Sequence, residues 1–225
     1  MAANSETYKR LVETAERLFA AEGIATVSMR RINQDAGQKN TSALHYHFGS
    51  KEALIEAIVG YRMSRVNTRR LEMLRRIEDS GEEIDLHKIV CAIVFPLAEL
   101  LDDETGDNRY IQFLAQAYSD PVIRKTHLGP GRYDEGYKRC FDHIIALRKD
   151  VPSAILRQRL LIVTGALVHI LSDFDKRRRD GRRVRPQHEV AAFVSNLVDF
   201  FLGAISAPSS ADTAEAFREL GRTHA

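Results

Sequence analysis

The sequence predicts an all-α protein, and three observations carry the prediction. Apolar residues recur with the 3.6-residue period of a helix, beginning with Tyr8, Leu11, Val12, Ala15, Leu18 and Phe19. Glycine, proline and helix-capping residue types punctuate these runs at helix-length intervals. No pair of alternating strands and no internal repeat breaks the pattern. At 225 residues the chain is long enough for one large domain or two small ones.

The elements follow in order. The first helix stops at Gly23, as helices do at a glycine just past their end. Ser28, an N-cap residue type, opens a second that buries Met29, Ile32 and Ala36 before Gly37. A short polar turn leads to a third from about Thr41 to His47, and beyond Gly49 Ser50 caps a long fourth buried through Leu54, Ile55, Ile58 and Val59. Ile84 to Leu101 is a candidate that Pro96 should kink or divide. Tyr110 to Tyr118 is a helix ended by Asp120-Pro121, Tyr133 to Arg148 another, and Ser153 opens one reaching about Lys176. Pro186 opens the last, to about Ile205, and the Ala-Pro-Ser-Ser stretch after it reads as a linker to a frayed tail.

Charge is uneven along this chain. The total of 33 Lys and Arg against 31 Asp and Glu leaves only +2. Residues 1–76 nevertheless carry +5, residues 77–175 carry −6 and residues 176–225 carry +3. A basic N-terminal surface is therefore compatible with a near-neutral sum. Arg62, Arg65, Arg69, Arg70, Arg75 and Arg76 face one acid, Glu72, along the fourth helix, and read as a solvated face or as partners of the acidic 78–85 segment. The run Lys176-Arg177-Arg178-Arg179 reads as a helix end and exposed loop, where cations suit the helix dipole.

Two cysteines far apart, Cys91 and Cys140, suit a reducing compartment better than a disulfide scaffold. The opening MAANSETYKR has no apolar core and is not a secretory signal. The longest charge-free apolar stretch starts at Leu160 and is broken by Asp173, short of the roughly 20 residues that a membrane span needs. The expectation is a cytoplasmic protein without a membrane partner.

The most specific signal lies between residues 28 and 51. Two short helices joined by a tight turn after Gly37 outline a helix-turn-helix, whose second helix enters the DNA major groove while the first braces it. Thr41, Ser42, His45, Tyr46 and His47 are hydrogen-bonding side chains on a helix too short to be stable alone, and Arg30, Lys39 and Lys51 flank it as candidate phosphate contacts. Ser28, Asn40 and Ala43 complete the expected DNA-facing set. His45-Tyr46-His47 is not read as a metal site, because residues two apart do not share a helix face. No G-x-S-x-G, H-E-x-x-H, P-loop or glycine-rich dinucleotide turn is present, so neither an enzyme nor a cofactor is expected.

Ala36-Gly37, followed by Leu44-His45-Tyr46-His47-Phe48-Gly49-Ser50-Lys51-Glu52-Ala53-Leu54, resembles the signature of the TetR (tetracycline-repressor-like) family of transcriptional regulators over about residues 8–58. The resemblance implies a homodimer in which an N-terminal three-helix DNA-binding domain precedes a larger helical ligand-binding and dimerisation domain. Carried over by position, Thr41, Ser42 and Ala43 open the recognition helix. His45 stands where the family usually has Tyr, Tyr46 falls at a variable position, and His47 matches a common His or Tyr. Lys51 matches a lysine that approaches a phosphate. The turn Gln38-Lys39-Asn40 is one residue longer than the family pattern and replaces its short apolar residue.

On this reading residues 1–50 read DNA, residues 51–207 bind the effector and dimerise, and residues 208–225 form a tail. Leu160 to Leu171 is apolar almost all round and should be buried on both sides. Together with the broad stripe from Val190 to Ile205, it suits a four-helix homodimer interface through residues 153–176 and 186–205. Phe95, Tyr110, Phe113, Tyr118, Phe141, His143 and His169 are candidate linings of a site for a small, largely apolar effector. The expected function is a repressor that binds a palindromic double-stranded operator and is released by that effector. The alternative is a DNA-binding protein whose C-terminal half only dimerises.

Overall fold

The structure, a computed structural model, describes residues 2–38, 43–101, 108–128, 134–180 and 187–223. Among these residues there are eleven α-helices and no strand, so the chain is all-α as expected. In chain order they are α1 (Ala2–Glu22), α2 (Met29–Asp35), α3 (Ala43–Phe48), α4 (Lys51–Asp79), α5 (Leu86–Ala98), α6 (Tyr110–Ser119), α7 (Pro121–His127), α8 (Glu135–Leu147), α9 (Ser153–Asp180), α10 (Gln187–Ser206) and α11 (Ala211–Thr223), with a 3-10 turn at Glu99–Leu101.

The chain divides into two compact units. One comprises residues 1–66, 100–133 and 168–184, and the other residues 67–99, 134–167 and 185–225. Helices α4 and α9 each supply residues to both.

In the first unit α1 packs on α6. Leu11, Ala15, Phe19, Ile32, Leu44, Leu54, Ile58 and Phe113 are buried in its core, and the Phe19 and Phe113 rings stack at 6.1 Å between centroids. Glu16 on α1 is buried among them. Its carboxylate accepts both Nε (2.9 Å) and Nη2 (3.1 Å) of Arg62 on α4, and the backbone N–H of Arg109, one residue before α6, at 3.3 Å. Burial pushes the Glu16 carboxyl above its ordinary range, and Arg62 pulls it back only in part. A second buried carboxylate, Asp175 on α9, accepts Gln112 of α6 at 2.8 Å and Arg179 at 2.9 Å. Arg179 also donates to the Asn108 carbonyl at 2.7 Å.

In the second unit α5 packs against both α8 and α10, burying Ile89, Ile93, Leu97, Ile144, Val194 and Phe201. Arg148 and Arg159 donate to the Ile205 carbonyl at the end of α10, each at 3.2 Å. Cations there complement the helix dipole and satisfy carbonyls that the helix leaves open.

Several local expectations change. Pro96 does not divide its helix: α5 runs through it to Ala98. Proline leaves the carbonyl four residues earlier without its helical donor, and the Nε–H of buried Arg70 takes that place on Ala92 at 3.0 Å. Asp120-Pro121 ends α6 but also starts α7, with Asp120 accepting the N–H groups of Val122 (2.8 Å) and Ile123 (3.1 Å) and Pro121 in the first turn. The expected frayed tail contains α11, capped by Ser210 accepting Thr213 N–H at 3.2 Å. Of the arginines read as a solvated face or as partners of segment 78–85, Arg62 pairs with Glu16, Arg69 with Glu99 at 2.9 Å, and Arg70 is buried. Arg178 and Arg179, read as an exposed helix end, are held on Asp175.

Leu161 and Ile162 on α9, expected to be buried, are 68% and 63% exposed, and Phe200 on α10 is 61% exposed. By length and composition α9 and α10 are apolar enough to cross a membrane, so the break at Asp173 does not exclude it; core helices of folded proteins meet the same criterion.

The buried pair gives a stability prediction. Glu16→Ala removes the carboxylate and strands Arg62, so it should lower unfolding stability by about 3–5 kcal/mol in urea titrations. The double variant Glu16→Ala/Arg62→Met should recover part of that loss.

Candidate nucleic-acid interface

The helix-turn-helix is built from local rules. Ser28 adopts an extended backbone and its hydroxyl accepts the Arg31 N–H at 3.2 Å, capping α2. At the other end Gly37 has φ +66°. Its N–H bonds the Gln34 carbonyl while that of Gln38 bonds Asn33, both at 3.0 Å, the paired closure that a left-handed residue permits. Helix α3 then runs for six residues and ends at Gly49, φ +74°. Six residues cannot hold a helix alone. Leu44, fully buried, anchors α3 to the core.

The outward side chains of α3 differ in what they can do. Tyr46 is 79% exposed, free to present its ring and hydroxyl. Exposed His45 places Nδ1 3.0 Å from the Gly49 carbonyl oxygen. A carbonyl only accepts, so Nδ1 carries the proton there and Nε2 of the neutral ring is left as an acceptor. Such an atom can read an exocyclic amino group in the major groove. His47 is partly buried, edge-on to Tyr8 of α1 with ring centroids 6.1 Å apart. It supports α3 as much as it faces outward.

Arg30 on α2 is exposed and makes no ion pair among the described residues. Lys51 is placed differently. Its ammonium donates to the carbonyls of Val27 (2.7 Å) and Ala25 (3.4 Å) and lies 5.5 Å from the Phe19 ring centroid. Desolvation lowers its pKa from the ordinary lysine value. Two of its three donors thus tie the start of α4 to the loop before α2. Lys39, Asn40, Thr41 and Ser42 lie outside the described residues, as does the side chain of Ala43. Tyr8, which packs on Phe48 at 4.9 Å, was absent from the expected set; its place at the head of the α1 apolar series was the available signal.

The seven candidate effector residues are not brought together within one unit. Tyr110, Phe113, Tyr118 and His169 belong to the first, and Phe95, Phe141 and His143 to the second. Tyr110 and Phe113 are fully buried in the core against each other, 5.9 Å between centroids. His169 is exposed on α9. His143 Nε2 sits 2.9 Å from Glu78, and the Phe141 ring lies 4.8 Å beneath the Arg157 guanidinium.

This geometry separates Lys51 from its neighbours. Lys51→Ala should cost about 1–2 kcal/mol of stability through lost hydrogen bonds to a charged donor, read as a lower melting midpoint by circular dichroism. Tyr46→Ala and Arg30→Ala should leave the midpoint unchanged.

Comparison with known proteins agrees with this interface. Residues 11–58 match the family model of bacterial regulatory proteins, tetR family, and residues 91–204 match the tetracyclin repressor-like C-terminal domain. No curated protein matches the chain. Among solved structures, NalD, the secondary repressor of the MexAB-OprM multidrug efflux pump in Pseudomonas aeruginosa, superposes with a TM-score of 0.57 at 15% identity, over 88% of this chain and 97% of that one. A protein of Shewanella sp. PV-4 assigned to the tetR family gives 0.58 at 16% identity, over 88% and 97%. PfmR from Thermus thermophilus, a TetR family regulator, gives 0.51 at 18%, over 84% and 94%. At these identities the structural likenesses speak for the fold. Together with the two family models, which span both ends of the chain, the capped α2–α3 pair places this protein in the TetR family of DNA-binding transcriptional regulators, and not among enzymes.

Proposed function

We propose that this regulator binds a palindromic operator as a homodimer, that a small-molecule effector releases it, and that it acts as a cytoplasmic repressor without a membrane partner. The observation that carries the reading is the uncovered apolar surface of α9 and α10, where Leu161, Ile162 and Phe200 face solvent in the single chain. Exposed apolar side chains of this size on two long apolar helices suit an interface when they form one patch. A second copy presents the same residues, so the two can cover each other isologously. An operator with two half-sites calls for two recognition helices about 34 Å apart, the spacing of adjacent major grooves.

The proposed division of labour assigns reading to residues 1–50 and sensing with dimerisation to residues 51–207, with residues 208–225 as the tail. Helix α4 starts at Lys51, beside the recognition helix in sequence, and its C-terminal half belongs to the other compact unit. A continuous helix transmits displacement along its axis. An effector that prefers one arrangement of the dimer by about 1–3 kcal/mol changes operator affinity about 5–150-fold. An effector with equal affinity for both arrangements changes nothing.

Base contacts are assigned to His45, Tyr46 and His47 with Thr41, Ser42 and Ala43, and phosphate contacts to Ser28, Arg30, Lys39, Asn40 and Lys51. Of the seven aromatic and histidine candidates, Tyr110 and Phe113 are occupied by core packing, which leaves half-buried Phe95, Tyr118, Phe141 and His143 and exposed His169 as the candidate effector contacts.

Selection of bound sequences from random DNA should return two inverted half-sites. On that operator Tyr46→Ala and Arg30→Ala should each weaken binding about 10-fold, and affinity should fall by about 1,000-fold or more between 50 and 200 mM salt. An asymmetric site or a flat salt dependence overturns the reading. The variant Leu161→Glu/Phe200→Glu should sediment as a monomer; a persistent dimer would move the interface elsewhere.

A further inference from the structure

The second unit holds a buried cation that no carboxylate compensates. Arg70 is 5% exposed and takes part in no ion pair among the described residues. Its Nε donates to the Ala92 carbonyl at 3.0 Å and its Nη2 to that of Ile93 at 3.3 Å. A guanidinium has five N–H donors; three of them, including both on Nη1, make no hydrogen bond to a described residue, and Nη1 is not fully buried. The ionisable groups that act on it are Cys140 and Tyr137. The Tyr137 ring lies 5.7 Å from the guanidinium carbon. The Cys140 thiol is pushed up to about 12 by burial, so it is neutral near pH 7.

The neighbourhood is built closely around this side chain. At Gly136 a Cβ would come within 3.2 Å of the Arg70 side chain and 3.1 Å of the Asn67 amide oxygen, which itself accepts the Gly136 N–H at 2.9 Å. Tyr137 is fixed in turn, its hydroxyl donating to the Leu160 carbonyl at 3.1 Å. Closing the carbonyl exposed by Pro96 needs one neutral donor, not a charge. Buried charges are normally paired, and this one has a held ring beside it and a planar fork with donors to spare.

We propose that Arg70 is the anion-binding residue of the effector site and that the effector is a small organic acid, its carboxylate on the Arg70 fork and its apolar body against Tyr137 and the apolar side chains of α5. A guanidinium matches a carboxylate in a bidentate manner that an amide cannot reproduce. The proposal rests on effector control as argued above and names the chemical class of that effector. It revises the expectation of a largely apolar ligand by one charged group, and it gives a buried arginine of α4 a role in sensing.

The test uses the full-length protein and matched pairs of probes: benzoate, phenylacetate, 3-phenylpropionate and octanoate, each against its primary amide. At least one carboxylate should raise the melting midpoint by about 3 °C or more in a concentration-dependent manner, as mass action requires, while its amide should not. Arg70→Gln removes the charge and should weaken that carboxylate about 100-fold. Should Arg70→Gln fail to fold, Arg70→Lys keeps the charge without the fork and should lose most of the carboxylate response. Equal responses to acids and amides, no response to any acid, or a full response in the Arg70 variant overturns the proposal. Operator release is measured in parallel. Arg70-dependent binding without release overturns effector control but leaves the anion site standing, whereas release by the amides supports effector control and overturns the anion site.

Discussion

Much of the first unit hangs on one buried ion pair. Glu16 reaches from α1 to Arg62 on α4 and to the amide that precedes α6, so three elements far apart in sequence share one carboxylate. Such a pair is costly to desolvate and adds little net stability over an apolar replacement. Its effect is directional: bidentate geometry fixes the rotation of α1 against α4, and with it the direction in which Tyr8 of α1 meets Phe48 of α3. The Phe19–Phe113 stack supplies apolar burial along the same seam. Packing gives the seam its strength and the ion pair gives it its register.

A related economy governs α5. Its proline opens a carbonyl in the middle of a buried helix, and the repair comes from another element, Arg70 of α4. Asp175 plays the corresponding part in the first unit, collecting Gln112 and Arg179. Apolar helix surfaces are interchangeable to a degree. Single polar anchors of this kind are not, and they specify which surfaces meet.

Helix existence was readable because amphipathic period and capping residues are local. Ser28, Gly37, Gly49 and Ser50 bound their elements as expected, and the family signature around Leu44 to Leu54 located the reading head. Punctuation was harder to interpret. Asp120-Pro121 is both a stop and a start, since an aspartate followed by proline is the preferred opening of a helix. Pro96 read as a breaker because its compensation comes from Arg70, 26 positions earlier in the sequence. The arginines of α4 read as a solvated face because their acid partners, Glu16 and Glu99, are distant in the chain. The aromatic list could not separate buried from half-buried side chains, because Phe113 and Phe141 look alike until burial divides them.

The exposure of Tyr46 also gives the protein an optical signature. The chain has no Trp and seven Tyr. Tyrosine emission is normally hidden by energy transfer to tryptophan, and here it is not. Among the described residues Tyr46, on α3, is the most exposed of the large apolar and aromatic side chains, and a base stacked on it in the proposed complex would quench it. In that complex, occupancy of the reading head would be written into the protein's own ultraviolet emission, with no label attached.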